Sequence, residues 1–295
     1  MKLAAVFFSD AEAYYSDIER FLTADEVTNS LVLGVARNLT RHLIPRRRHP
    51  PLMMSVKKDS ETVLVAMMPA NHKMLLAGND DGEAVNTLVR ELIDRRTSIP
   101  SILGPADLVA RFSRLWAEVT MDDLIPGMQQ RLYKASSVTH AAHWPDGRLI
   151  VAPLKDRELF SQWVLDFQTE ALPGEAGDLE TARIIVDRLI GNNDLYAWQM
   201  KLNGEEHSVS MAAKARPTTR GIAINLVYTP PVYRRQGYAS ACVAHLTELL
   251  LASGWEFCTL FTDRTNETSN HIYQTIGYEP ITDFDEFRFR SRRKT

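Results

Sequence analysis

The stretch from Gly221 to Ala252 constrains the fold more than any other part of the chain. Residues 221–229 read Gly-Ile-Ala-Ile-Asn-Leu-Val-Tyr-Thr, an apolar run of strand length. Pro230 and Pro231 end it. Arg234-Arg235-Gln236-Gly237-Tyr238-Ala239-Ser240 follows, and from Gly237 apolar residues recur at helical spacing: Ala239, Cys242, Val243, Leu246, Leu249 and Leu250. A strand, a basic turn and a helix in direct succession set a helix N-terminus beside the end of a strand. Such a terminus leaves backbone N–H groups unpaired and carries about half a positive charge, so it favours a phosphate. Gly237 tolerates positive φ and lets the backbone approach an anion closely. Ala239 keeps a second approach point small, Arg234 and Arg235 add charge, and Ser240 offers a hydroxyl.

The surrounding segments predict a mixed α/β chain. Leu195–Leu202 and His207–Lys214 read as strands joined by Asn203-Gly204, a strong hairpin signal. Ahead of them come a strand at Leu149–Pro153 and a helix at Asp156–Glu170, with Leu159, Phe160, Trp163, Val164 and Phe167 facing inward. A loop at Pro173–Gly177 and a helix at Leu179–Ile190 complete the approach. Beyond residue 252 the pattern gives a strand (Phe257–Thr262), a short helix (Asn266–Ile276) and a final strand pair (Tyr278–Phe289). The first half runs in a similar order: two helices within 10–43, strands at Leu52–Val56, Thr62–Met68 and Lys73–Ala77, a helix at Glu83–Arg96, a short strand near Ile99–Leu103 and a helix from Pro105. One fold used twice is the expectation, with domains at 1–130 and 148–295 and a linker or shared strand at 131–147.

A second motif lies downstream. Asn266-Glu267-Thr268-Ser269-Asn270-His271-Ile272-Tyr273-Gln274-Thr275-Ile276-Gly277-Tyr278 places an Asn, an alcohol–Asn pair and a Tyr four residues ahead of Gly-aromatic. With Arg234-Arg235-Gln236-Gly237-Tyr238-Ala239, it resembles the two signatures of the GNAT superfamily of acetyltransferases. The resemblance runs from about Arg148 to Phe289. The whole chain is also similar to a bacterial group with an N-terminal GNAT-like domain, with Val227-Tyr228-Thr229-Pro230-Pro231 as its local hallmark.

That resemblance implies a GNAT fold of the α/β (α+β) class: a mixed, mostly antiparallel central sheet flanked by helices, preceded by a degenerate copy of itself. It implies acetyl-CoA as cofactor and acyl transfer to a primary amine, on a small molecule or a peptide, by direct attack in a ternary complex. The strand before the loop should splay at a bulge, with backbone groups of Leu226, Val227 and Tyr228 along the cofactor arm, where they would stabilise an oxyanion. Arg234, Arg235, Gln236, Gly237, Tyr238, Ala239 and Ser240 would hold the pyrophosphate. Tyr273 would protonate the departing thiolate, and the alternative reading is a packed aromatic beside Ile272 and Ile276. Asn266 would contact the pantetheine, cap its own helix, or do both.

The chain departs from the family pattern at one point. Many members carry a carboxylate near the middle of the splayed strand, and residues 221–227 have none. Asn225 could hold a relay water; Asp166, Glu170 or His207 are the other candidates for a base. The departure keeps open an alternative, a non-catalytic CoA-binding or regulatory protein. Trp163, Phe167, Trp198 and Met211 belong to an acceptor wall or to the core.

Composition narrows the partners. Lys plus Arg is 34 and Asp plus Glu 37, a net charge of −3, so no general attraction to nucleic acid or acidic membranes is expected. The basic runs Arg46-Arg47-Arg48-His49 and Arg288–Lys294 lack aromatic interleaving and read as solvated. Cys242 and Cys258 sit inside apolar elements, without disulfide or metal-ligand spacing. The apolar start, Met1–Phe8, is too short for a secretory core, and a cytoplasmic protein is expected. In the first half, Gly78-Asn79-Asp80-Asp81-Gly82-Glu83 is acidic where a phosphate would sit, so that copy should not bind CoA.

Overall fold

A computed structural model describes residues 2–41, 50–69, 73–141, 143–171 and 177–292. The run Arg46–His49, the turn residues Ala70 and Asn71, the loop from Pro173 to Ala176 and the tail end at Lys294 lie outside them. Two compact units emerge, residues 1–132 with 281–295, and residues 133–280.

The first unit opens with β1 (Leu3–Phe7), a strand that sequence reading missed because its five residues carry no alternation. Then come α1 (Ala11–Ala24), α2 (Ser30–Thr40), β2 (Leu52–Lys58), β3 (Glu61–Met68), β4 (Lys73–Gly78), α3 (Gly82–Asp94), β5 (Ser101–Pro105), α4 (Ala106–Thr120) and β6 (Asp123–Ala135). Strands β1 to β4 pair antiparallel in sequence order, and β4 pairs parallel with β5. The Asp10 carboxylate caps α1 by accepting from Ala13 N–H at 2.8 Å. The helix stripes close the core: Ala84, Val85, Leu88 and Leu92 from α3, and Leu108, Val109, Phe112 and Trp116 from α4.

The second unit comprises β7 (Arg148–Val151), α5 (Arg157–Ala171), α6 (Leu179–Gly191), β8 (Leu195–Leu202), β9 (Glu205–Ala215), β10 (Gly221–Tyr228), α7 (Tyr238–Ala252), β11 (Phe257–Asp263) and α8 (Glu267–Thr275). Its sheet runs β11-β10-β9-β8-β7, antiparallel apart from the β10–β11 pair. Asn203 and Gly204, with φ of 52° and 88°, form the expected hairpin turn. On one face α5 and α6 bury Phe160, Trp163, Val164 and Val186 against Ala197, Met211 and Tyr228. On the other, α7 and α8 pack Cys242, Leu246 and Tyr273 onto Val209, Ile222 and Cys258. Leu159, expected to face inward, is 40% exposed, because the buried stripe of α5 runs through Phe160, Trp163 and Val164 instead.

The chain closes with one strand, β12 (Glu279–Arg290), where the sequence suggested two. It pairs antiparallel with β5, Phe284 opposite Pro105 and Arg288 opposite Ser101, and the first unit's sheet runs β1-β2-β3-β4-β5-β12-β6. Phe284 is buried, and the buried Glu286 carboxylate accepts from Lys73 Nζ at 2.9 Å. The first unit is therefore discontinuous, and the last strand that sequence reading grouped with residues 148–280 completes the other sheet. Between them the two units repeat the order β-α-α-β-β-β-α-β-α.

Candidate functional site

The site in the second unit begins at an irregularity in β10. Its antiparallel pairing with β9 shifts register between Asn225 and Tyr228, and Leu226 there has φ of +50°, a conformation that costs a non-glycine residue about 1–2 kcal/mol. The parallel pairing with β11 runs from Gly221 through Ala223 opposite Thr259 and goes no further. Past Ala223 the two strands part, which leaves the β11-facing backbone edge of residues 224–228 without a ladder partner. The bulge also breaks the alternation of side chains. Leu226 and Tyr228 pack with the α5/α6 core, and Val227 packs with the α7/α8 core. Asn225 Oδ1 is buried and has no hydrogen-bond partner among the described residues.

The loop beyond delivers the start of α7. Gly237 has φ of +81°, and no side chain caps the helix. A Cβ built at Gly237 would meet only the Pro145 ring, at 3.6 Å, so the approach to the first-turn N–H groups is open. Gly237, Ser240, Trp144, Pro145 and Ile276 line a cleft of about 180 Å³ there. Gln236 Oε1 accepts from the Tyr238 hydroxyl at 3.2 Å, which steadies the turn, and Tyr238 is itself buried. Arg235, at φ of +62°, has no ion-pair or hydrogen-bond partner among the described residues. Arg234 is differently placed. Its Nε donates to the Thr229 carbonyl at 2.8 Å and its Nη2 to Glu170 at 2.7 Å, so its charge is spent within the protein.

The first unit offers a contrast at the corresponding helix. Asp81 accepts from the N–H groups of Glu83 and Ala84 at the start of α3, and Asp80 is ion-paired with Arg111. A carboxylate already fills the position that stands open in α7.

Three tyrosines meet beside α8. The Tyr273 ring lies 6.2 Å from that of Tyr133 and 6.0 Å from that of Tyr278. The Tyr133 hydroxyl donates to Asn270 Oδ1 at 2.7 Å, and the Tyr278 hydroxyl is 2.7 Å from Thr247 Oγ1. Tyr273 is 7% exposed, and its hydroxyl has no partner among the described residues. Burial pushes its pKa well up, which keeps it protonated. Asn266 caps α8 by accepting from Ser269 N–H at 3.0 Å. Asn270 donates to the carbonyls of Asp263 and Asn266 at 3.0 and 2.8 Å, so it ties β11 to α8. Gly277, at φ of +101°, passes so close to Thr139 and Ser137 that a Cβ would lie 3.0 Å from the Thr139 nitrogen.

These features decide the fold: a strand that bulges and parts from its parallel neighbour, then an uncapped helix entered through a left-handed glycine. Residues 194–287 match the family model described as FR47-like protein. No curated protein matches the chain by sequence. Among solved structures, a Drosophila protein is 12% identical with a TM-score of 0.67, covering 99% of both chains. A GCN5-related N-acetyltransferase from Sphaerobacter thermophilus is 14% identical with a TM-score of 0.65, covering 99% of this chain and 97% of that one. A tandem GNAT protein from the clavulanic acid biosynthesis pathway is 10% identical over the full length of both chains, with a TM-score of 0.56.

This chain is a tandem GNAT-fold protein.

Within that GNAT fold the other residues singled out by sequence fall into separate groups. Trp198 and Met211 are core: the Trp198 Nε1 donates to the Asp146 carbonyl at 3.2 Å, and Met211 is fully buried. Trp163 lies in the α5/α6 core, its ring 6.3 Å from that of Tyr228, and Phe167 is partly buried beside it. Of the candidate bases, Glu170 is bound to Arg234 and accepts from the Tyr228 hydroxyl at 3.3 Å, and Asp166 accepts from Gln162 at 2.7 Å. Burial, followed by the charges of Glu170 and Asp166, pushes the Tyr228 phenol up to about 12. His207 lies 3.8 Å from Glu205, on a separate cleft. Sequence reading missed Pro145 and Tyr133, whose roles come from contacts of 92 and 137 residues' separation respectively, and no local signal announces either. Cys242 and Cys258 are buried free thiols, as expected. No helix among the described residues is long and apolar enough to cross a membrane.

Proposed function

We propose that the second unit binds acetyl-CoA, or a related acyl-CoA, and transfers the acyl group to a primary amine. The observation that carries this reading is the uncapped α7 terminus behind Gly237, next to the unpaired edge of β10. First-turn N–H groups, with the Ser240 hydroxyl and Arg235, which has no partner among the described residues, suit a pyrophosphate. Gln236, Tyr238 and Ala239 shape that turn, and Arg234 acts indirectly by pinning it to Glu170 and Thr229. The parted edge over Leu226, Val227 and Tyr228 offers backbone groups to an amide-bearing arm and to an acyl carbonyl. The bound cofactor would supply an activated thioester.

Tyr273 is the proposed acid. Both neighbouring tyrosine hydroxyls are hydrogen-bonded. The Tyr273 hydroxyl makes no hydrogen bond to a described residue, and a phenol that burial holds protonated suits proton delivery to a departing thiolate. Asn266 contributes as the α8 cap that positions this helix, and as a candidate contact for the cofactor arm. The first unit is read as a CoA-free copy, since Asp81 occupies its helix terminus.

The test pairs calorimetry with a thiol-release assay on acetyl-CoA and a panel of amines. Tyr273→Phe should leave coenzyme A affinity unchanged and slow release about a hundredfold. Equal turnover in the variant would remove Tyr273 from the mechanism. Binding without turnover on any amine would favour a CoA-binding regulatory protein, a reading supported by the absence of a carboxylate from residues 221–228.

A further inference from the structure

We infer that Tyr133 is a positioning residue for the proposed acid: its hydroxyl and ring fix where α8 lies and so where the Tyr273 phenol points. The inference rests on the reading of Tyr273 as the acid, and it adds a residue outside both sequence motifs.

Helix α8 has nine residues, about two and a half turns. A helix that short is marginal alone, so its placement comes from tertiary contacts. The Asn266 cap closes the first turn but does not fix how the helix is rotated against the sheet. Asn270, Tyr273 and Gln274 share one face at i, i+3 and i+4, and Tyr133 meets all three. Its hydroxyl donates to Asn270 Oδ1 at 2.7 Å and accepts from Gln274 Nε2 at 3.4 Å. Its ring lies 6.2 Å from that of Tyr273, tilted by 52°. Tyr133 is fully buried and carried by β6, so the anchor is as rigid as the core around it.

Asn270 passes that anchor on to the backbone. Its Nδ2 donates to the carbonyls of Asp263, at the end of β11, and Asn266, at the start of α8. With the amide N–H groups committed there, Oδ1 needs a donor from elsewhere, and the Tyr133 hydroxyl is that donor among the described residues. On the other side of Tyr273 stands the Tyr278 ring, 6.0 Å away, its own hydroxyl fastened to Thr247. Tyr273 is thus held between two anchored rings. Proton delivery needs an approach of about 2.6–3.2 Å, so a small shift of α8 takes the phenol out of reach.

Tyr133→Phe keeps the ring and removes only the hydroxyl. Thiol release from acetyl-CoA, with the amine that the wild type turns over fastest, would be measured for wild type, Tyr133→Phe, Tyr273→Phe and the double variant. Thermal melting and coenzyme A calorimetry check that each folds and binds. Tyr133→Phe should lower kcat about tenfold and leave the Kd for coenzyme A and the KM for the amine within about twofold. In the Tyr273→Phe background it should lower kcat no further, because nothing is left to position. A wild-type kcat in folded Tyr133→Phe, or an equal loss in both backgrounds, overturns the inference. Asn270→Asp gives a second reading of the same linkage, since a carboxylate still accepts from Tyr133 but cannot donate to the two carbonyls. Its loss of kcat should also vanish in the Tyr273→Phe background, and a loss that persists there counts against the inference. Turnover slowed by Tyr273→Phe but untouched by Tyr133→Phe removes Tyr133 alone. Equal turnover in Tyr273→Phe, or no turnover of any amine by the wild type, removes the acid and Tyr133 with it.

Discussion

Replacing Gly237 with alanine separates folding from anion binding at one atom. The residue sits at φ of +81°, where a side chain costs about 1 kcal/mol. Among the described residues the added Cβ would meet only Pro145, at an ordinary 3.6 Å. The expected loss of stability is therefore about 1 kcal/mol, or roughly 2–4 °C in melting temperature for a chain of this size. The effect on coenzyme A should be larger. The methyl group projects into the cleft shared with Pro145 and Ser240, where a phosphate must approach the α7 N–H groups. Losing one charge-assisted hydrogen bond there costs about 1.5–3 kcal/mol, which corresponds to roughly a 10- to 150-fold rise in Kd. Calorimetry at fixed ionic strength measures the affinity, and differential scanning measures the melting shift. An affinity within twofold of wild type, alongside the expected melting shift, would refute the cradle.

Two further outcomes follow from the fold and its buried groups. Truncation before Ile281 removes most of β12 and leaves β5 without its antiparallel partner and Lys73 without Glu286. Hydrogen exchange should then accelerate in residues 73–78 and 101–105 while β8 and β9 keep their protection; the reverse pattern would show that β12 supports the second unit. Burial pushes both cysteine thiols up to about 12, so the thiolate, the reactive form, is scarce at pH 8. Ellman's reagent should label neither thiol in the folded protein and both in denaturant, and prompt labelling of the native chain would contradict the packing around α7 and β11.

Much of the candidate site is legible along the chain because its signals are local. A positive-φ glycine at a helix start, Asn-Gly between two strands, and Asn266 ahead of a short helix each act within a few residues, through backbone sterics or a capping bond. Helix stripes are legible for the same reason, although Leu159 shows that periodicity names a face and not its edges. The unpartnered Tyr273 hydroxyl, by contrast, is defined by what Tyr133 and Tyr278 do with theirs, and Tyr133 lies 140 positions away. Arg234 looked like a phosphate ligand beside Arg235; only the folded chain brings Glu170 to it.

The amino-acid sequence by itself determined the element order, the repeat of that order, the strand-loop-helix unit at residues 221–252 and the burial of both cysteines. Tertiary structure alone decided that β12 joins the first sheet and that Arg234 is tied to Glu170 and Thr229. Turn chemistry and periodicity are written into neighbouring residues. The choice of strand partner and of counter-ion depends instead on groups tens to hundreds of residues apart, and their encounter is fixed only when the cores close.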